Sequence, residues 1–127
     1  MVLLIVDGSD IIIQRLAFLI TESGSNHISA IHSAATYAAA RNLLRKIKPD
    51  VVLLDMYLPG QQSIDLLKLI KKNNADVSFI ILVNYAAAVA KEKYKWAGAD
   101  FIFDKYNDFE KIPVAIDAIA GKILKTH

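Results

Sequence analysis

Five short apolar runs alternate along this chain with longer segments in which apolar residues recur every three or four positions. The short runs have the length and composition of buried strands, and the longer segments have the period of amphipathic helices. Parallel strands need a crossover between them, and a helix usually provides it. The alternation therefore predicts an α/β fold with a parallel sheet that is covered by helices on both faces.

The predicted elements form five consecutive βα units. We expect strands at Val2–Val6, Ile28–Ile31, Val51–Leu54, Phe79–Val83 and Phe101–Phe103. We expect helices at about residues 11–23, 34–46, 63–73, 86–97 and 110–124. Ser9 or Asp10 is expected to cap the first helix, and Gly24 and Gly98 are expected to end the first and fourth helices. Together with right-handed crossovers, these units predict a doubly wound, flavodoxin-like, five-stranded parallel sheet, for which the usual strand order is 2-1-3-4-5.

The composition is that of one domain with its own core. The chain has 127 residues, of which 54% are hydrophobic, so we expect a single domain over residues 1–127. The absence of cysteine excludes disulfides, cysteine-based zinc sites and a thiol nucleophile. A net charge of +2 does not predict direct nucleic-acid binding. No segment resembles a signal peptide or a membrane span, so we expect a cytoplasmic protein without a membrane partner.

Polar residues stand at the carboxyl ends of four predicted strands, namely Asp7, Asp55, Asn84 and Lys105. Because the carboxyl ends of parallel strands share one edge of a sheet, we expect these side chains to converge. An aspartate before proline and glycine often caps a turn, so Asp55 alone would not indicate a function. Two neighbouring carboxylates repel each other unless a cation such as Mg²⁺ lies between them, and a lysine opposite can hold a phosphoryl group.

Four segments of the chain resemble the response-regulator receiver family, the phosphoacceptor domains of two-component signalling. They are residues 3–7, 50–60, 80–84 and 98–105, and the second and fourth are the most specific. The resemblance covers essentially the whole chain. It implies that Asp55 accepts a phosphoryl group from a sensor histidine kinase or a phosphotransfer protein. It implies no enzymatic activity beyond the domain's own phosphorylation and dephosphorylation.

The same resemblance assigns roles to individual residues. It implies that Asp7, Asp55 and the main-chain carbonyl of Tyr57 bind Mg²⁺, and that Lys105 and Asn84 contact the phosphoryl group during transfer. In receivers the fourth helix, fifth strand and fifth helix commonly form the surface for a downstream protein or a homodimer, so we expect that use here. The bulky side chain of Tyr57 is expected to shield the acyl phosphate from water. Ser63 stands where receivers usually have glycine.

Three positions depart from the family pattern. Gly8 stands where a second acidic residue normally contacts the metal, so we expect weakened Mg²⁺ binding. Asn84 replaces a Thr or Ser, although its amide can still donate a hydrogen bond. Ile102 replaces a Tyr or Phe whose ring moves inward on phosphorylation, and Phe101 and Phe103 should face the opposite side of the strand. The usual conformational switch is therefore expected to be impaired.

These departures leave other interpretations to weigh. Gly8 and Ile102 also fit a pseudo-receiver, a protein–protein interaction module that works without phosphorylation. The segment Val6–Ser9 resembles the opening of universal stress proteins, which bind ATP on a related sheet. The chain lacks the glycine-rich phosphate loop of those proteins, and the same lack argues against flavin binding.

Overall fold

The computed structural model describes residues 1–24, 27–58, 61–84 and 88–126. Its five main strands are β1 Val2–Val6, β2 Ala30–Ala34, β3 Val51–Asp55, β4 Ser78–Val83 and β5 Phe101–Asp104. Its helices are α1 Asp10–Glu22, α2 Tyr37–Leu44, α3 Ser63–Asn73, α4 Ala88–Ala97 and α5 Lys111–Thr126. All neighbouring pairs in the sheet are parallel, and the order is β2-β1-β3-β4-β5. This is the predicted doubly wound, flavodoxin-like arrangement.

The two faces of the sheet carry separate halves of the core, because side chains alternate along each strand. On one face, Leu4 and Val6 of β1 pack with side chains from α2, α3 and α4. On the other face, Leu3 and Ile5 pack with side chains from α1 and α5. β3 lies in the middle of the sheet and is buried along its whole length. Asp55, its last residue, is therefore held at the carboxyl end of a central, fully buried strand.

The second βα unit differs from the prediction. β2 runs from Ala30 to Ala34 rather than over Ile28–Ile31, and α2 is limited to Tyr37–Leu44 instead of residues 34–46. β2 is an edge strand with partly exposed residues, so its apolar signal is weak, whereas its parallel register with β1 continues to Ala34. Thr36 then begins the helix, because its hydroxyl accepts a hydrogen bond from the Ala39 N–H at 3.0 Å.

The ends of α1 and α4 follow the predicted signals closely. Ser9, rather than Asp10, is the N-cap of α1, and its hydroxyl accepts a hydrogen bond from the Ile12 N–H. Gly24 and Gly98 follow the last turns with φ angles of 72° and 111°, which residues with a side chain rarely adopt. The expected start of the fourth helix, at residues 86 and 87, lies outside the described residues. Within the described ranges, no helix is long and apolar enough to cross a membrane.

Candidate functional site

Three charged side chains meet at the carboxyl edge of the sheet. The Nζ of Lys105 lies 2.6 Å from Oδ2 of Asp7 and 3.0 Å from Oδ2 of Asp55. Asp7 is 1% exposed, and Asp55 and Lys105 are each 5% exposed. We call these three residues the buried charge cluster. The structure thus brings together three of the four residues that the sequence placed at the strand ends.

Main-chain hydrogen bonds fix the cluster at the strand ends. The Lys105 N–H donates to the carbonyl of Val83 at 2.8 Å, which ties the residue after β5 to the end of β4. The Ser9 N–H donates to Oδ1 of Asp7 at 2.9 Å. The Tyr57 N–H donates to Oδ1 of Asp55 at 3.0 Å. Each carboxylate therefore has one oxygen held by the backbone and the other oxygen beside Lys105.

The cluster carries one excess negative charge, because one ammonium faces two carboxylates. Burial raises the pKa of Asp55 above the usual 3.8, and the charge of Asp7 adds to this rise. The Tyr57 N–H and the Lys105 ammonium lower the pKa of Asp55, but they do not cancel the rise. Burial by itself would lower the pKa of Lys105, but its interactions with the carboxylates of Asp7 and Asp55 together outweigh burial and raise that pKa above 10.5. Lys105 therefore stays charged at neutral pH.

Oxygen atoms at this edge suit a hard divalent cation. Among the described residues, Asp7 Oδ2 has the Lys105 ion pair but no hydrogen bond of normal geometry, and the side-chain oxygen of Asn84 is buried without a hydrogen-bond partner. Mg²⁺ prefers carboxylate, carbonyl and amide oxygens and keeps several waters. Within the described ranges, however, no three acidic or histidine side chains come together as a metal site. The residues present therefore fit Mg²⁺ with few protein ligands, in line with Gly8 beside Asp7.

Asn84 and Tyr57 adjoin the cluster without joining its ion pairs. Asn84 directly follows β4 and is partly buried. Among the contacts of the described residues, none joins its side chain to Asp55 or Lys105, so its role in phosphoryl transfer stays a prediction. The side chain of Tyr57 is 56% exposed beside Asp55. Its role in shielding an acyl phosphate therefore stays a prediction.

Ile102 lies on the face of the sheet covered by α2, α3 and α4, whereas Phe101 and Phe103 pack on the face covered by α1 and α5. The two phenylalanine rings lie together, with centroids 5.6 Å apart. This confirms the alternation predicted for β5. Neither ring can take the place of an aromatic residue at position 102.

Two hydroxyl groups behind Asp55 were not predicted as part of the site. Ser63 Oγ donates to the main-chain carbonyl of Asp55 at 2.5 Å. Tyr94 Oη, from α4, donates to the main-chain carbonyl of Met56 at 3.2 Å. Tyr94 comes 38 residues after Met56 in the chain, and nothing in its local sequence pattern indicates which carbonyl it reaches.

One groove in the described part of the chain lies away from this cluster. It has a volume of about 430 Å³ between the C-terminal ends of α2 and α3, and its rim includes Arg41, Arg45 and Lys48. These residues adjoin the amino ends of β3 and β4, at the opposite edge of the sheet from Asp55. The buried charges, and not this groove, therefore mark the candidate site.

The comparisons with known proteins agree with the geometry. The model of the family described as "Response regulator receiver domain" matches residues 3–117. Sporulation initiation phosphotransferase F of Bacillus subtilis is 34% identical over 83 residues, which are 65% of this chain and 67% of that protein. A cyclic di-GMP phosphodiesterase of Thermotoga maritima is 30% identical over all 127 residues, but this chain spans only 30% of it.

Among solved structures, a response regulator receiver domain protein from Clostridium thermocellum superposes with a TM-score of 0.86. Its sequence is 21% identical, and the match covers 99% of this chain and 98% of that one, so it supports the fold. The family model adds support from the sequence, since it includes the buried charge cluster and, apart from Val2, all five strands. The chain therefore belongs to the response-regulator receiver domain family, whose members are regulatory phosphoacceptor domains of two-component signalling.

Proposed function

We propose that Asp55 accepts a phosphoryl group from the phosphohistidine of a sensor histidine kinase or a phosphotransfer protein, as one step of a phosphorelay. The observation that carries this proposal is the ammonium of Lys105, which is buried between Asp7 and Asp55 at 2.6 and 3.0 Å. Lys105 keeps a nucleophilic carboxylate available in a pocket where burial disfavours its charge. It also supplies a cation for the incoming phosphoryl oxygens.

In the proposed reaction an oxygen of Asp55 forms a bond to phosphorus while the bond between phosphorus and the donor's imidazole nitrogen breaks. The electron pair of the broken bond stays with the imidazole, which takes up a proton. Positioning and charge neutralisation contribute most of the catalysis in such transfers. Tyr57 N–H holds one oxygen of Asp55 in place, and Lys105 exchanges its pairing with the carboxylate for pairing with the phosphoryl group.

We propose that the chain uses Mg²⁺, as receiver domains generally do. Asp7, Asp55 and the main-chain carbonyl of Tyr57 would hold it. The side-chain oxygen of Asn84, which has no hydrogen-bond partner in the described part of the chain, is a further candidate. Bound Mg²⁺ would offset negative charge on the carboxylates and on the phosphoryl oxygens. We expect the affinity to be weak, because Gly8 contributes no carboxylate.

We also propose that a downstream protein or a second copy of the chain binds at the surface formed by α4, β5 and α5. Trp96 on α4 is 85% exposed, Tyr106 after β5 is 66% exposed and Val114 on α5 is 68% exposed. Exposed aromatic side chains are common anchors of protein interfaces. If the phosphoryl donor is a sensor histidine kinase, we expect this chain to act in the cytoplasm.

The direct test is to incubate the protein with phosphoramidate and Mg²⁺ and to measure its intact mass. We expect one added phosphoryl group that hydroxylamine removes, and no addition to Asp55→Asn. Asp65→Asn is the matched control, because Asp65 is an exposed carboxylate on α3 and should leave the reaction unchanged. Phosphorylation of Asp55→Asn to the same extent would contradict the assignment of Asp55.

The pseudo-receiver is the second candidate, and one observation favours it. Lys105 already pairs with both carboxylates, so the ion-pair cluster forms without phosphorylation. Under this proposal the folded protein takes up no phosphoryl group from phosphoramidate or from any kinase. Its partner would bind wild type and Asp55→Asn with equal affinity.

A further inference from the structure

We infer that Tyr94 is a positioning residue that couples the state of Asp55 to α4 through the peptide group between Met56 and Tyr57. This inference rests on the proposed phosphorylation of Asp55. It adds the contacts through which phosphorylation would affect α4. It assigns to Tyr94 a role that Ile102 cannot perform, because Ile102 has no ring.

The carrier of the coupling is a single peptide group. Its N–H, from Tyr57, donates to Oδ1 of Asp55 at 3.0 Å. Its carbonyl, from Met56, accepts the hydrogen bond from the Tyr94 hydroxyl at 3.2 Å. A peptide group is planar and nearly rigid, so its N–H and its carbonyl must turn together. A rotation that changes the bond to Asp55 therefore also changes the bond to Tyr94.

Two hydrogen bonds hold the preceding peptide group, between Asp55 and Met56, in place. The Met56 N–H donates to the Leu82 carbonyl at 2.9 Å, and Ser63 Oγ donates to the Asp55 carbonyl at 2.5 Å. Tyr94 is 5% exposed, and its burial raises the pKa of its hydroxyl to about 12, so the group remains a donor at neutral pH. A buried hydroxyl that loses its acceptor is costly, so Tyr94 must follow the carbonyl or find another partner.

Phosphorylation would act directly on this arrangement. It turns the Asp55 carboxylate into an ester-like acyl group whose oxygen is a weaker acceptor, while the phosphoryl oxygens attract the Tyr57 N–H. The two states of Asp55 thus differ in their interaction with one end of the peptide group, which is the requirement for shifting a conformational equilibrium. Tyr94 transmits the shift to α4, where the exposed Trp96 follows two residues later.

The chain provides its own reporter for a test, because Trp96 is its only tryptophan. We would record ¹H–¹⁵N NMR spectra of wild type and Tyr94→Phe with Mg²⁺ while adding beryllofluoride, which mimics the phosphoryl group on Asp55. Tyr94→Phe removes only the hydroxyl. The matched control is Tyr37→Phe, which removes a hydroxyl from α2 and leaves the ring beside Arg41.

In wild type we expect saturable shifts of the Lys105 amide and of the Trp96 indole N–H. Tyr94→Phe should keep the Lys105 shift, and its affinity for beryllofluoride should lie within roughly fivefold of that of wild type. It should lose most of the Trp96 shift. Tyr37→Phe should keep both shifts. An undiminished Trp96 shift in Tyr94→Phe would overturn the inference. A wild-type response at Lys105 without one at Trp96 would overturn the inference but not the proposed function. No response anywhere in wild type would overturn both.

A measurement on wild type covers the case in which Tyr94→Phe does not fold. With ¹³C at the Cζ position of tyrosine, the Tyr94 signal reports the hydrogen bonding of its hydroxyl directly. We expect this signal to move with the same beryllofluoride dependence as the Lys105 amide, and the Tyr37 signal to remain still. A Tyr94 signal that stays constant while Lys105 responds would also overturn the inference.

Discussion

Replacing Lys105 by methionine should destabilise the protein strongly, because it leaves Asp7 and Asp55 buried together without a cation. Methionine keeps most of the volume of the lysine stem, so the change tests the charge and not the packing. The ammonium lies 2.6 and 3.0 Å from the two carboxylates, and all three side chains are at least nine-tenths buried. The substitution therefore removes the counter-charge of both acids at once.

Breaking a buried ion pair by removing one partner typically costs about 3–5 kcal/mol. Domains of this kind have unfolding free energies of about 5–15 kcal/mol, so the loss is a large part of the total. For a chain of this length it corresponds to a fall of about 10–20 °C in Tm. Proton uptake by Asp55 in the variant would limit the loss, because burial already raises the pKa of that carboxyl.

We would measure urea and thermal unfolding at pH 7 in the absence of divalent cations. Lys111→Met is the matched control, since Lys111 pairs with Asp108 at 2.9 Å but its side chain is 66% exposed. An exposed pair of this kind contributes less than about 1 kcal/mol. We expect Lys105→Met to lose several times as much stability as Lys111→Met.

Two further conditions separate electrostatics from packing. The defect of Lys105→Met should shrink as the pH falls from 7 towards 3.8, because protonation relieves the repulsion, and Mg²⁺ should stabilise the variant more than wild type. Adding Asp7→Asn to Lys105→Met should restore part of the loss, as expected for residues in direct contact. A variant as stable as wild type at pH 7, or a defect that does not change with pH, would refute the reasoning.

Three more predictions address the carboxylates and their neighbours. Asp55→Asn should be more stable than wild type at pH 7, because the raised pKa of Asp55 means that its ionised form costs stability above pH 3.8. In unfolding measurements below pH 3.8, the stability gain of the variant should vanish. Tyr57→Ala should hydrolyse the acyl phosphate faster than wild type, measured as loss of the phosphorylated mass over time, and an equal rate would contradict the shielding role. Gly8→Asp should raise Mg²⁺ affinity of the unphosphorylated protein roughly tenfold, measured by calorimetry, and no change would mean that position 8 does not face the metal.

The sequence predicted the sheet and the cluster because both follow from short-range patterns. Buried strands such as β3 read as continuous apolar runs, and the rule that parallel strands end at one edge brings Asp7, Asp55 and Lys105 together. The same reasoning placed β2 too early. An edge strand is only half covered, so its residues up to Ala34 carry little apolar signal, and its true limits are set by pairing with β1.

The hydrogen bonds behind Asp55 could not be predicted in the same way. Periodicity shows that Tyr94 and Ser63 belong to helices, and it can place their side chains on an inner face. It does not show which carbonyl a buried hydroxyl reaches, because that depends on how α3 and α4 pack against the segment after β3. Contacts between distant elements therefore had to come from the structure, and they carry the coupling inferred for Tyr94.

The charge balance of the pocket would allow a receiver domain with Gly8 to accept a phosphoryl group. Asp7, Asp55 and Lys105 together leave one excess negative charge, which is a weak attraction for a divalent cation. A phosphoryl group on Asp55 adds nearly two negative charges, while the esterified carboxylate loses its own single negative charge. With one divalent cation bound, the phosphorylated pocket is then close to neutral, whereas a third acid would leave it negative. We therefore expect Gly8 to weaken Mg²⁺ binding before phosphoryl transfer more than it destabilises the phosphorylated product.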